Sequence, residues 1–117
     1  MITGVIANLF EGNVGDCNGC SQGANRGNIV MGRIDASGNV RVSVTLLNAL
    51  PNAAYQVNWK CVQAGIGTLT TDATGKGAIF IDFNGGTTTH FALDMQALNA
   101  SGQIVDSIGS GGVDLAR

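Results

Sequence analysis

The sequence predicts an all-β domain, a single antiparallel Greek-key-like sandwich or flattened barrel of about eight strands. Three observations carry that expectation. Apolar and polar residues alternate over short runs, as strands with one buried face require. No stretch shows a capped 3.6-residue apolar period, so helices are not expected. A turn motif also recurs between the runs: Asp35-Ala36-Ser37-Gly38, Asp72-Ala73-Thr74-Gly75 and Asn99-Ala100-Ser101-Gly102. In each, the Asx side chain is suited to hold backbone N–H groups two residues on, the central pair fits a type I turn, and glycine takes the left-handed position that closes a bulged hairpin. Asn84-Gly85-Gly86 supplies a fourth turn of related chemistry.

The elements follow in order. The first strand, Ile2 to Leu9, is apolar on both faces, with Val5, Ala7 and Leu9 opposing Ile2, Ile6 and the following Phe10. A second is expected over Asn28 to Asp35. Asn39 to Leu47 is the clearest, because Val40, Val42, Val44 and Leu46 alternate with Arg41, Ser43 and Thr45. The connection Asn48 to Asn52 contains Pro51, which cannot donate to a ladder and biases Leu50 toward extended backbone, so a crossing between sheets is expected there. Ala54 to Val62 places Tyr55, Val57, Trp59 and Cys61 inward and Gln56, Asn58 and Lys60 toward water. After Gly67 to Thr71, the strand Ala78 to Phe83 sets Ile79, Ile81 and Phe83 on one face and Phe80 on the other. Thr89 to Leu98 turns Phe91, Leu93 and Met95 to the core and His90, Asp94 and Gln96 away from it, and Gln103 to Ile108 completes the set. Val113 and Leu115, beyond the Gly109-Ser110-Gly111-Gly112 stretch, suit a short edge strand or a contact.

Length and composition narrow the function classes. A chain of 117 residues fits one domain with its own core. A net charge of -2 with 12% charged residues offers no basic stripe, so nucleic acid is not an expected partner. No apolar run approaches the ~20 residues of a membrane-spanning helix, and membrane insertion is not expected. Met1 to Ile6 lacks the basic and apolar regions of a signal peptide. The few charges, abundant Gly, Asn, Thr and Ala, and three Cys favour an extracellular or cell-surface domain, with the cytoplasm as the alternative.

The segment 11–27 is too long for a plain turn and is the first functional candidate. Glu11, Asn13, Asp16 and Asn25 are its candidate ligand-binding residues, offering oxygen and amide groups to a small ligand. Within it Cys17-Asn18-Gly19-Cys20 is a C-x-x-C, whose short reach suits a disulfide, a redox couple or half of a zinc site. Cys17, Cys20, Cys61 and the single His90 total the four ligands of a closed tetrahedral site, but there is no second C-x-x-C and His90 faces away from the side that Cys61 enters. No helix follows the motif to lower a thiol pKa, which argues against a thioredoxin-like role. No cofactor is expected.

Catalysis finds little local support. No nucleophile has a spacing that ties it to His90, and Asp72, Asp82, Asp94, Asp106 and Asp114 are dispersed one per element. The sequon Asn99-Ala100-Ser101 coincides with a hairpin turn that explains it without a glycan. The surplus apolar residues of the two-faced strands point instead to a second covered surface, most simply a homo-oligomer contact.

The stretch Val40-x-Val42-x-Val44-x-Leu46-x-Asn48-Ala49-Leu50-Pro51-Asn52-Ala53-Ala54-Tyr55-x-Val57, with Gly67-Thr68-Leu69-Thr70-Thr71-Asp72 and Gly75-x-Gly77 after it, resembles repeating elements of bacterial extracellular β-sandwich domains. It is distantly similar to the Greek-key sandwich of the chordin-like and copper/zinc superoxide dismutase group. That resemblance implies a fold and not an activity, since a copper and zinc pair sharing an imidazolate needs several His and this chain has one. The sequence thus leads to the expectation of a non-catalytic structural or interaction module that self-associates. The alternative is a small-ligand or metal-binding sandwich using the loop 11–27.

Overall fold

The computed structural model describes residues 5–11, 24–60, 64–110 and 112–115. All regular structure among them is extended. The strands are β1 (Val5–Glu11), β2 (Asn25–Met31), β3 (Asn39–Leu46), β4 (Ala54–Trp59), β5 (Ala64–Thr70), β6 (Gly77–Asn84), β7 (His90–Phe91), β8 (Leu93–Leu98), β9 (Ile104–Ser110) and β10 (Val113–Asp114). Eight form one antiparallel sheet in the order β5-β4-β8-β9-β1-β2-β3-β6, while β7 and β10 pair separately. The large sheet curls until it is nearly closed, barrel-like. Its end strands β5 and β6 share no ladder, and the gap is packed by side chains. A Cβ added to Gly67 of β5 would stand 2.8 Å from Ile81 Cδ1 of β6.

The three recurring turns form as their chemistry dictates. Asp35 Oδ1 accepts from the N–H of Ser37 and Asn39 at 2.8 and 2.9 Å, Asp72 Oδ1 from Thr74 and Lys76 at 2.8 and 3.1 Å, and Asn99 Oδ1 from Ser101 and Gln103 at 2.9 and 3.0 Å. The closing glycines Gly38, Gly75 and Gly102 have φ of 86°, 78° and 80°. These turns join β2 to β3, β5 to β6 and β8 to β9. The donated N–H bonds favour the charged carboxylate. They hold Asp35, led by the Asn39 N–H, and Asp72, led by the Thr74 hydroxyl, below the usual carboxylate range.

The Pro51 crossing does not switch sheets as expected: β3 and β4 belong to the same large sheet, and the chain passes β6 and β5 in the ring order, which is the Greek-key step. Asn48 and Asn52 bracket it with φ of 55° and 50°, a left-handed backbone that asparagine tolerates. The Ala49 N–H donates to Gly75 O at 3.0 Å and the Asn52 N–H to Asp72 O at 2.9 Å, so the crossing leans on the β5–β6 turn.

Inward residues build one core. Leu9, Ile29, Met31, Val40, Val42, Val44, Leu46, Tyr55, Val57, Phe91, Leu93, Met95 and Ile108 are fully buried. Trp59, Phe83 and Phe91 meet at ring centroids 5.3 to 5.7 Å apart and fill one end. Val113 and Leu115 add to this core, so the C-terminal segment forms a strand, β10, whose flanking apolar side chains are inside.

Several expectations need correction. The second strand begins at Asn25 and ends at Met31, not at Asp35, because Gly27 pairs with Leu46 and the ladder to β3 stops at Met31. The expected strand from Thr89 to Leu98 is two. His90–Phe91 pairs with β10, and Leu93 onward pairs with β4. Lys60 and Asp94 are buried rather than wet. Asp94 accepts from Asn58 Nδ2 at 2.8 Å, the cross-strand partner that makes its burial tolerable. Trp59 is only half-buried.

Candidate interaction surface

Three of the candidate residues, Glu11, Asn25 and His90, are among the described ones. Glu11 ends β1 and Asn25 opens β2, flanking the loop, while His90 lies on β7 in the small second sheet. Asn25 Oδ1 accepts from the Gly27 N–H at 3.1 Å, and Glu11 Oε1 accepts from Arg26 Nη1 at 3.2 Å. His90 Nδ1 is 2.6 Å from Asp114 Oδ1. Asn13, Asp16, Cys17, Cys20 and Cys61 lie outside the described residues. Among the described residues no group of three or more His, Cys, Asp or Glu is placed to hold a metal ion.

Beside Glu11 is a polar network that sequence reasoning missed. Arg26 Nη2 donates to Asp106 Oδ2 at 2.7 Å, and the same oxygen accepts from the Tyr55 phenol at 2.5 Å. The phenol oxygen in turn accepts from the Leu50 N–H at 2.9 Å. Tyr55 sits on the core row with Ala97 and Asp106, and Arg26 reaches across the end of β1 from β2 to β9. Burial first, then the bond to Asp106, pushes the Tyr55 phenol up to about 12. The network ties the Pro51 crossing to β2, β4 and β9, as a tyrosine does at Greek-key corners. Arg26 Nη1 and Nη2, Asp106 Oδ2 and the Tyr55 hydroxyl are engaged within it, while Arg26 Nε is buried without a hydrogen-bond partner among the described residues, so the network acts as a clasp between strands. The one sequence signal for it is a polar Asp106 in a strand beside apolar neighbours.

The outer surface carries a different pattern. Strand register aligns Ile6 with Val30, Val30 with Ser43, and Ser43 with Phe80 across β1, β2, β3 and β6. The strand neighbours of these residues, Ile29 and Met31, Val42 and Val44, and Ile81, point to the core, so this row faces out. Ile6, Val30 and Phe80 are 69%, 36% and 78% exposed. One flanking row is Asn8, Asn28, Thr45 and Ala78, without a charge. The other holds Arg41 and Asp82, which neutralise each other at 3.0 Å. The strand β6 that carries Phe80 pairs with β3 over eight positions without a register shift, so this part of the sheet is regular. This outer row therefore bares a line of apolar side chains beside an exposed Arg41–Asp82 ion pair.

Comparison with protein-family models, with curated proteins and with solved structures finds no match to this chain.

Proposed function

We propose that this domain is a non-catalytic structural or interaction module that self-associates, at a cell surface or in an extracellular assembly. The observation that carries the reading is the single cross-strand row Ile6, Val30, Ser43 and Phe80, which bares three apolar side chains on the outside of the sheet. Each large apolar side chain left in water forfeits roughly 1.5–3 kcal/mol that burial would return, so covering the row is a driving force for association. The paired Arg41 and Asp82 leave the face without net charge, which suits a protein surface of the same kind better than a polyanion. The surface or extracellular setting rests on the low charge content of 12% and on the resemblance to extracellular β-sandwich domains.

Sedimentation velocity over a range of concentrations tests the reading. A mass rising above the 11.9 kDa of one chain is expected, with Phe80→Lys shifting the equilibrium back toward the monomer. A mass of 11.9 kDa up to the millimolar range removes it.

A further inference from the structure

We infer that Asn84-Gly85 is a modification site that the fold holds shut: the Asn84 carboxamide is placed to lose ammonia to the Gly85 nitrogen, and a clamp between the turns 35–38 and 84–86 gates the reaction. Asparagine before glycine is the dipeptide whose backbone nitrogen most easily reaches the side-chain carbonyl, because glycine has no side chain in the way. Asn84 is exposed at the end of β6, and Gly85 is buried directly after it.

The chemistry needs only water. Hydroxide takes the Gly85 amide proton, the nitrogen attacks Asn84 Cγ, the Cγ–Nδ2 bond breaks, and Nδ2 leaves as ammonia with a proton taken back from water. A five-membered succinimide remains. Water opens it by cutting the new bond to Cγ, which gives aspartate, or the bond to the main-chain carbonyl carbon of Asn84, which gives isoaspartate with the chain rerouted through the side chain. In sum, one amide and one water become one acid and one ammonia.

Hydrogen bonds oppose the first step from both sides. Asn84 Nδ2, the leaving nitrogen, donates to Ser37 O at 2.8 Å and to Asn39 Oδ1 at 3.1 Å. Asn84 Oδ1 accepts from the Gly86 N–H at 2.9 Å, which fixes the plane of the carboxamide. The Gly85 N–H, whose proton must leave, donates to Gly38 O at 2.9 Å. Asn84 also pairs with Asn39 at the end of the β3–β6 ladder, so its backbone is extended, and ring closure requires a rotation that swings the Gly85 nitrogen to the Cβ side. That swing has no room. A Cβ at Gly85 would stand 2.8 Å from Phe91 Cζ, and one at Gly38 would stand 2.8 Å from Gly86 O. The reaction therefore proceeds from the locally opened turn, at the rate of an unfolded chain scaled by the fraction of time the clamp is open.

Conversion also changes the turn it occurs in. An acid at position 84 replaces the donor Nδ2 by an acceptor that faces two acceptors, Ser37 O and Asn39 Oδ1. Isoaspartate further adds a methylene to the backbone beside Phe91. Either product keeps the two turns apart, at the end of the core that Trp59, Phe83 and Phe91 fill.

The test is ageing of the intact chain at mildly alkaline pH, in native buffer and in guanidinium chloride, with conversion at Asn84 followed by peptide mass spectrometry that separates aspartate from isoaspartate. The native chain should convert at least ~10-fold more slowly than the unfolded one. Asp35→Ala removes the carboxylate that accepts from the Ser37 and Asn39 N–H groups, loosens the turn that supplies Ser37 O and Gly38 O, and should speed conversion at least ~3-fold over the parent chain. Thermal melts show that this variant folds; if it does not, Asn39→Ala, which removes one acceptor of Nδ2, makes the same comparison. Equal rates in the native and unfolded chains overturn the gate, as does a folded, loosened variant that converts no faster than the parent. An unfolded chain that does not convert at Asn84 overturns the site itself. The aged protein should also exchange the Gly85 and Gly86 amide hydrogens faster, and unchanged exchange refutes the lasting opening.

Discussion

Replacing Tyr55 by Phe removes one oxygen atom and keeps the ring that fills the core. The lost hydroxyl donates to Asp106 and accepts from the Leu50 N–H. A bond to a charged group contributes about 1.5–3 kcal/mol and one to a backbone N–H near water about 0.5–1 kcal/mol. Asp106 keeps its Arg26 partner and Leu50 is 38% exposed, so the remaining groups are partly compensated. A loss of about 2–3 kcal/mol follows, which for a domain of this size lowers Tm by roughly 10 °C. The alkaline limb gives an independent check, because Tyr55 is the single tyrosine and its phenolate absorbance reports this site alone. Its folded pKa of about 12 lies above the 10.0 of the free side chain. A raised acid pKa means that the contribution is complete below pH 10, fades as the pH rises and is gone above about 12. The two proteins should therefore differ most at neutral pH and converge toward pH 12. A folded phenol titrating near 10, or a Tm gap that is unchanged across that range, refutes the clasp.

Arg26→Met should cost about 3 kcal/mol in urea denaturation, because the largely buried Asp106 is left without its cation; a change below ~0.5 kcal/mol contradicts the network. Gly75→Ala and Gly102→Ala share a positive φ, yet a Cβ at Gly75 would stand 2.2 Å from Ala49 O while nothing lies within 4 Å at Gly102. The Gly102 variant is expected to lose about 1–2 kcal/mol and the Gly75 variant clearly more, so equal denaturation midpoints would be a failure. Asp35 and Asp72 have folded pKa values below 3.8, so their stabilisation is present above that pH and is lost as the pH falls through their folded values. Asp35→Asn combined with Asp72→Asn should flatten the acid limb of a pH–Tm curve, and an unchanged limb counts against the turns as its source.

The turns and the inward alternations were legible because their causes are local. An Asx side chain, two small residues and a glycine contain all the atoms of the hairpin at Asp72, and the pleat alone decides that Val40, Val42 and Val44 share a face. The start of β2 was not legible, since Arg26 and Gly27 are held in the strand by Glu11, Asp106 and Leu46, from three other elements. The burial of Lys60 and Asp94 escaped for the same reason. Alternation reports which side a residue faces and not whether that side is covered. The outer row was half visible: Ile6 and Phe80 stand out as surplus in the sequence, but only the register shows that Val30 and Ser43 join them in one line.

The sheet order also has a consequence for how the chain reaches its structure. The halves β1-β2-β3-β6 and β5-β4-β8-β9 share a backbone ladder over just three residue pairs, between β1 and β9. Neither half is a continuous piece of chain, because β6 returns to the first only after β4 and β5 have been laid down in the second. A ribosome that has released β1, β2 and β3 has therefore not yet delivered either half. The loops that must close before β6 finds β3 place this domain among the slower folders, on the order of milliseconds to seconds. Until then the far edge of β3 waits unpaired, the interval in which a chaperone or a neighbouring nascent chain competes for it.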